Sequence, residues 1–154
     1  MNYKDKAKDI YKRLIESRWD TPIQIKGCTE EEIIFIEHKY KIKLPESYKL
    51  FLRMFGHGCG YIMEDVDVLY DRILNETEYV NTRVFAEGDK LKMLPANIFV
   101  FASRYGEQFL FFDTDLNEED PPYYYYYWED GEEIVKYDKS MWCFIESELM
   151  MMEK

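Results

Sequence analysis

The chain has 154 residues, 47% of them hydrophobic and 18% aromatic, with a formal net charge of -11. That much apolar side chain offsets the entropy of ordering a backbone, which excludes an intrinsically disordered chain, and the length suits one hydrophobic core, so residues 1–154 read as a single domain. The charge excludes direct binding to nucleic acid or to anionic membranes, both of which depend on Lys and Arg displacing counterions.

The acidity is unevenly placed. Residues 1–60 carry 12 basic and 9 acidic side chains, whereas residues 61–154 carry 8 and 22. No apolar run is long enough for a signal peptide or a membrane span, so a cytoplasmic protein is expected. Cys28, Cys59 and Cys143 are odd in number and widely spaced, which suits reduced structural thiols better than a disulfide framework.

In chain order, Tyr3, Ala7, Ile10 and Leu14, with Tyr11 and Ile15 beside them, predict a first helix to about Arg18. Thr29-Glu30-Glu31-Glu32 is a capping box that starts a second helix through Ile33, Ile36, Glu37 and Tyr40, ending near Ile42. Leu44-Pro45 starts a third, with Tyr48, Phe51, Leu52 and Phe55 on one face and Gly56 expected in a left-handed cap. Ile62-Met63 suggest a short strand. A fourth helix is expected from about Leu69 to Phe85, with Leu69, Ile73, Tyr79 or Val80, and Val84 inward and Gly88 past its end.

The pattern then changes to short β runs at Asn97 to Ala102, Gln108 to Phe112, Tyr123 to Trp128 and Ile134 to Tyr137. A capped helix from Ser140 to about Met152 closes the chain, with Trp142 or Phe144, Ile145, Leu149 and Met152 inward. Helices followed by a meander predict an α+β fold: an antiparallel β-sheet of about five strands packed on one face against several α-helices.

Four candidate sites are weighed for chemistry and set aside. Gly56-His57-Gly58-Cys59-Gly60 follows a helix, whereas phosphate-cradling loops precede one. His57 and Cys59 fall short of the four ligands of a structural zinc site, and the other histidine, His38, is on the second helix, so no metal or cofactor is expected. Cys28 lies just before an N-cap, with no histidine predictably beside it to make a nucleophile. Paired carboxylates abound, but those of Asn117-Glu118-Glu119-Asp120 read as solvated and equivalent. A hydrolase needs their pKa values pushed apart, so no enzyme is expected.

The window between Arg104 and Lys136 is more informative, since it holds ten carboxylates and no cation. Asp113, Asp115, Glu118, Glu119 and Asp120 precede Pro121-Pro122 and five tyrosines, and Glu129 and Asp130 follow Trp128. Alternation puts Tyr123, Tyr125 and Tyr127 on one face of a strand and Tyr124, Tyr126 and Trp128 on the other. These acidic residues with Tyr123, Tyr125 and Tyr127 form the expected contact surface for a partner bearing a basic patch. A homodimer, or a second layer over that face, is the competing explanation.

From Thr29 to Gly60 the chain resembles the SUKH superfamily, relatives of the fungal Smi/Knr cell-wall regulators. The resemblance rests on Thr29-Glu30-Glu31, on Ile33 and Ile36 followed by Glu37, on Leu44-Pro45 with Tyr48, Phe51 and Leu52, and on the Gly56 to Gly60 turn. In the second half it rests on Leu94-Pro95, Ile98 to Ala102, Gly106, Phe111 to Asp113, Pro121-Pro122 and Ser140 to Phe144. The resemblance implies an α+β fold and no catalytic residues. For a bacterial member it implies an immunity protein, or antitoxin, that binds a cognate toxin domain, often a nuclease or deaminase. A regulatory module with an endogenous cytoplasmic partner is the alternative it leaves open.

Overall fold

The computed structural model describes residues 2–17, 24–85, 94–127 and 134–153. Helix α1 (Tyr3–Ile15) begins where the Asn2 side chain accepts the Asp5 N–H at 2.9 Å, and it buries Ala7, Ile10 and Leu14. Tyr11 and Ile15 stay on the surface, at 40% and 57% exposure, so the buried stripe is narrower than the spacing predicts.

Helix α2 (Glu30–Tyr40) carries the expected capping box. Thr29 Oγ1 accepts the Glu32 N–H at 3.2 Å, and Glu32 Oε1 accepts the Thr29 N–H at 2.9 Å. The helix stops at Lys41, whose φ of 54° is left-handed. Glu37 reaches past that end to accept the Leu44 N–H at 2.8 Å and to pair with Lys49 at 3.7 Å, fixing the turn into helix α3 (Glu46–Phe55). Tyr48, Phe51, Leu52 and Phe55 are all buried there, as their spacing predicts.

Gly56 departs from expectation. Its φ of -58° is right-handed, and its missing Cβ serves close approach instead: a Cβ would lie 2.2 Å from the Cys28 Sγ and 2.7 Å from the Leu52 carbonyl oxygen. Strand β1 (Ile25–Lys26) pairs antiparallel with β2 (Gly58–Cys59) in a small separate ladder. The strand expected at Ile62-Met63 is a turn, with Met63 at φ 58°, because pairing is satisfied a few residues earlier.

The single helix expected over residues 69–85 is divided into α4 (Tyr70–Ile73), α5 (Glu76–Tyr79) and a π-helical turn, Val80–Val84. The break has a tertiary cause. The Tyr40 hydroxyl donates to the Leu74 carbonyl and Lys39 Nζ donates to Asn75 Oδ1 at 2.8 Å, so helix α2 engages the chain at the junction.

Strands β3 (Ile98–Arg104), β4 (Gln108–Asp113), β5 (Tyr123–Tyr127) and β6 (Ile134–Tyr137) form an antiparallel meander in sequence order. Helix α6 (Met141–Met152) begins at Ser140, whose Oγ accepts the Trp142 N–H at 3.1 Å. It buries Met141, Trp142, Ile145 and Leu149, while Met152, expected inward, is at the surface. On one sheet face Phe99, Phe101 and Phe112 meet Tyr48 of α3 at ring distances of 5.4, 6.2 and 5.7 Å. Behind Tyr48, the Trp142 ring lies 6.1 Å from Phe51 and 6.2 Å from Phe55.

The other face is not open. Tyr79 lies 6.2 Å from Phe109 and Phe85 lies 4.6 Å from Tyr126, so residues 79–85 cover the second row of sheet side chains. The same region seals the edge of β3. Thr77 Oγ1 accepts the Val100 N–H at 2.8 Å, and Asp67 and Ser103 exchange backbone hydrogen bonds at 2.7 and 3.0 Å.

Two outcomes follow for this sealing segment. Thr77→Val leaves the buried Val100 N–H without an acceptor and should cost about 1–3 kcal/mol, read from urea unfolding. Glu76 has its pKa raised, first by burial and then by Asp67. The penalty for ionising it is absent below the unfolded-state pKa of about 4.3, builds as pH rises toward the folded value, and persists at neutral pH. Glu76→Gln should therefore raise the unfolding midpoint at pH 7, with the gain fading on acidification below that range.

Candidate functional site

The acidic residues after β4 form an anchored loop. Asp113 accepts the Asp115 N–H at 3.1 Å, starting a 3-10 turn (Thr114–Leu116), and Asn117 follows at φ 52°. Asp115 accepts both its hydrogen bonds from Asn97 Nδ2, at 3.1 and 3.2 Å. The Glu119 carbonyl accepts the Ser47 N–H at 2.8 Å, and Asp120 Oδ1 accepts the Ser140 hydroxyl at 2.6 Å. The loop is thus held at the first turns of α3 and α6, where the positive ends of helix dipoles favour carboxylates. Asp115, Glu118 and Glu119 are exposed, whereas Asp113 and Asp120 are half-buried.

The loop is one wall of a groove of about 620 Å³ whose floor includes Ala7, Leu44, Leu50 and Pro121. Lys4 and Lys8 of α1, with Lys43, line it as well. Carboxylates of Asp113, Glu118 and Glu119 therefore share the groove with cations from a distant part of the chain, and the surface is of mixed charge where the local sequence suggests only acid.

The tyrosines divide differently from a simple free-and-buried pair of rows. Tyr123 is 6% exposed, set between Phe101 at 5.8 Å, Tyr137 at 5.3 Å and Phe144 at 6.4 Å, and burial pushes its hydroxyl up to about 12. Tyr125 and Tyr127 are half-buried, and the Tyr125 hydroxyl donates to Gln108 Oε1 at 3.3 Å. In the other row Tyr126 is buried against Phe85, and Tyr124 stacks on Phe111 at 5.4 Å. Each row has one ring sunk in the core because both sheet faces are covered. Glu129 and Asp130, with Trp128, lie outside the described residues.

The cysteine and histidine positions also regroup. The Cys59 thiol is buried and donates to the Ile62 carbonyl at 3.4 Å, and it is not grouped with His57 as a ligand. His57 instead lies beside Cys28 and Glu32, its Nε2 2.7 Å from Glu32 Oε2. Cys28 is pushed up to about 12 by burial and then by Glu32 and Asp71, the opposite of an activated nucleophile. Sequence spacing placed Cys28 at the start of α2, but the approach of His57 depends on the β1–β2 pairing and was not visible locally.

Residues 27–147 match the SMI1/KNR4 family (SUKH-1). The chain belongs to this family. The SUKH-1 region runs from Gly27 through the sheet into α6, taking in the acidic loop and leaving α1, with Lys4 and Lys8, outside. No curated protein and no solved structure matches the chain. Membership in SUKH-1 is consistent with an immunity role, and among the described residues no helix is long and apolar enough to cross a membrane.

Anchoring and display within the loop are separable by mutation. Ser140→Ala removes the cap of α6 together with the Asp120 contact and should cost roughly 0.5–2 kcal/mol of unfolding free energy. Glu118→Lys with Glu119→Lys should stay within about 0.5 kcal/mol of the parent in the same denaturation measurement.

Proposed function

We propose that this SUKH-1 protein is a cytoplasmic immunity protein that neutralises a cognate toxin by binding it, without catalysis of its own. The observation that carries the reading is the family match across residues 27–147. The toxin is proposed to be a nuclease or another enzyme acting on nucleic acid. Such enzymes need basic clefts for phosphate, and an acidic protein surface competes for them while accelerating encounter.

The proposed contact surface centres on the exposed carboxylates of Asp115, Glu118 and Glu119. Half-buried Tyr125 and Tyr127, and Glu129 and Asp130 beyond them, extend it. Asp113 and Asp120 act chiefly by shaping the loop, through their bonds to the Asp115 N–H and the Ser140 hydroxyl. Tyr123 supports the surface from beneath.

A toxin gene is expected beside the gene for this chain; expressing the two together should rescue growth, and the purified pair should form a complex. No rescue and no complex would favour the regulatory alternative. With the complex in hand, Glu118→Lys with Glu119→Lys should slow association in a stopped-flow or biosensor measurement. It should also flatten the dependence of the association rate on salt. Unchanged association would move the contact surface elsewhere while leaving the immunity role standing.

A further inference from the structure

Away from the acidic loop, three side chains with metal-ligating atoms converge from separate segments. Cys28 precedes the N-cap of α2, Glu32 lies in its first turn, and His57 sits between α3 and β2; the Sγ, a carboxylate oxygen and a ring nitrogen all fall within 4.8 Å of one another. We propose that Cys28, Glu32 and His57 form a binding site for one zinc-class divalent cation, with solvent or a partner's side chain in the fourth position.

The donor set decides the class of ion. One sulfur, one imidazole nitrogen and one carboxylate oxygen suit a borderline ion that accepts four-coordinate geometry, whereas calcium and magnesium require shells of oxygen. Three protein ligands with one open position describe a site that exchanges its fourth ligand, as distinct from a closed structural site.

Each ligand is held by its backbone before any ion arrives. The Cys28 N–H donates to the Leu52 carbonyl at 2.7 Å, and the His57 N–H donates to the Lys26 carbonyl at 2.9 Å. Gly56, lacking a Cβ, leaves the space that the Cys28 sulfur occupies. Glu32 divides its carboxylate: Oε1 accepts the Thr29 N–H in the capping box, and Oε2 faces His57. The Tyr70 ring lies 5.3 Å from the imidazole and limits its rotation. The His57 and Glu32 side chains are 22% and 27% exposed, so an ion can reach them.

The movement required is small. Ligand atoms on one tetrahedral ion with bonds of about 2.0–2.3 Å lie roughly 3.3–3.6 Å apart. The His57 to Glu32 contact of 2.7 Å therefore opens slightly, and the sulfur, already within 4.8 Å of both partners, closes by at most about 1.5 Å, within the reach of side-chain rotation. Binding releases the Cys28 thiol proton to solvent and involves no change of oxidation state.

Cobalt(II), a spectroscopic substitute for zinc, tests the site on the whole chain. Titration should saturate at about one equivalent and produce a thiolate-to-cobalt charge-transfer band with the visible bands of a four-coordinate ion, both abolished by added zinc. Cys28→Ser should lose the charge-transfer band. His57→Gln should weaken binding by about tenfold or more, since losing a ligand costs at least what losing its outer partner does. Cys143→Ser and the Glu118→Lys, Glu119→Lys pair should bind as the parent does.

Circular dichroism establishes that each variant is folded. Should Cys28→Ser not fold, alkylation of the parent by iodoacetamide, read by mass spectrometry at Cys28, replaces it, and zinc should slow that labelling. Absence of the charge-transfer band, binding unaffected by His57→Gln, or labelling of Cys28 indifferent to zinc would each overturn the site.

Discussion

The indole N–H of Trp142 donates to the Ser47 carbonyl at 3.0 Å, and the rest of the arrangement hangs on that contact. Trp142 is fully buried, and its ring closes an aromatic layer formed by Phe51 and Phe55, with Tyr48 reaching on to the sheet. A buried indole needs a partner for its single donor, and the first turn of α3 supplies it. The contact sets the position of α6 against α3, which in turn sets how both lie on the sheet.

The same two helix starts carry the acidic loop. Ser47, whose carbonyl accepts from Trp142, donates its own N–H to Glu119, while Ser140 accepts the Trp142 backbone N–H and donates its hydroxyl to Asp120. A short relay of hydrogen bonds thus joins a fully buried ring to the acidic loop at the surface. The loop has the charge of a flexible tail but the attachments of an ordered element.

What was legible in the sequence was whatever short-range chemistry decides. Thr29 with Glu32, Ser140, and the spacing of Tyr48, Phe51, Leu52 and Phe55 predict α2, α3 and α6 because caps and apolar faces act within a few residues. The division of residues 69–85 escaped because its causes, Lys39 and Tyr40, lie on another helix. Gly56 departs from expectation for a related reason: a glycine suits both a left-handed dihedral and a close contact, and the neighbour that distinguishes them is Cys28. Within the candidate surface, the exposure of Glu118 and Glu119 followed from charge alone, whereas the opposing Lys4 and Lys8 and the burial of Tyr123 required the folded chain.

The two edges of the main sheet are unlike. Along β3, Thr77 and Asp67 occupy backbone groups that a further strand would need, while β6 is a four-residue edge bearing Lys136. An unprotected edge on each side would let copies add without limit, in the manner of a filament. With one side closed, any strand-to-strand addition through this sheet has to use β6, and two such edges meeting would end the growth at a pair. The threonine that satisfies one buried amide therefore also helps, with Asp67, to keep the β3 edge from templating a further strand.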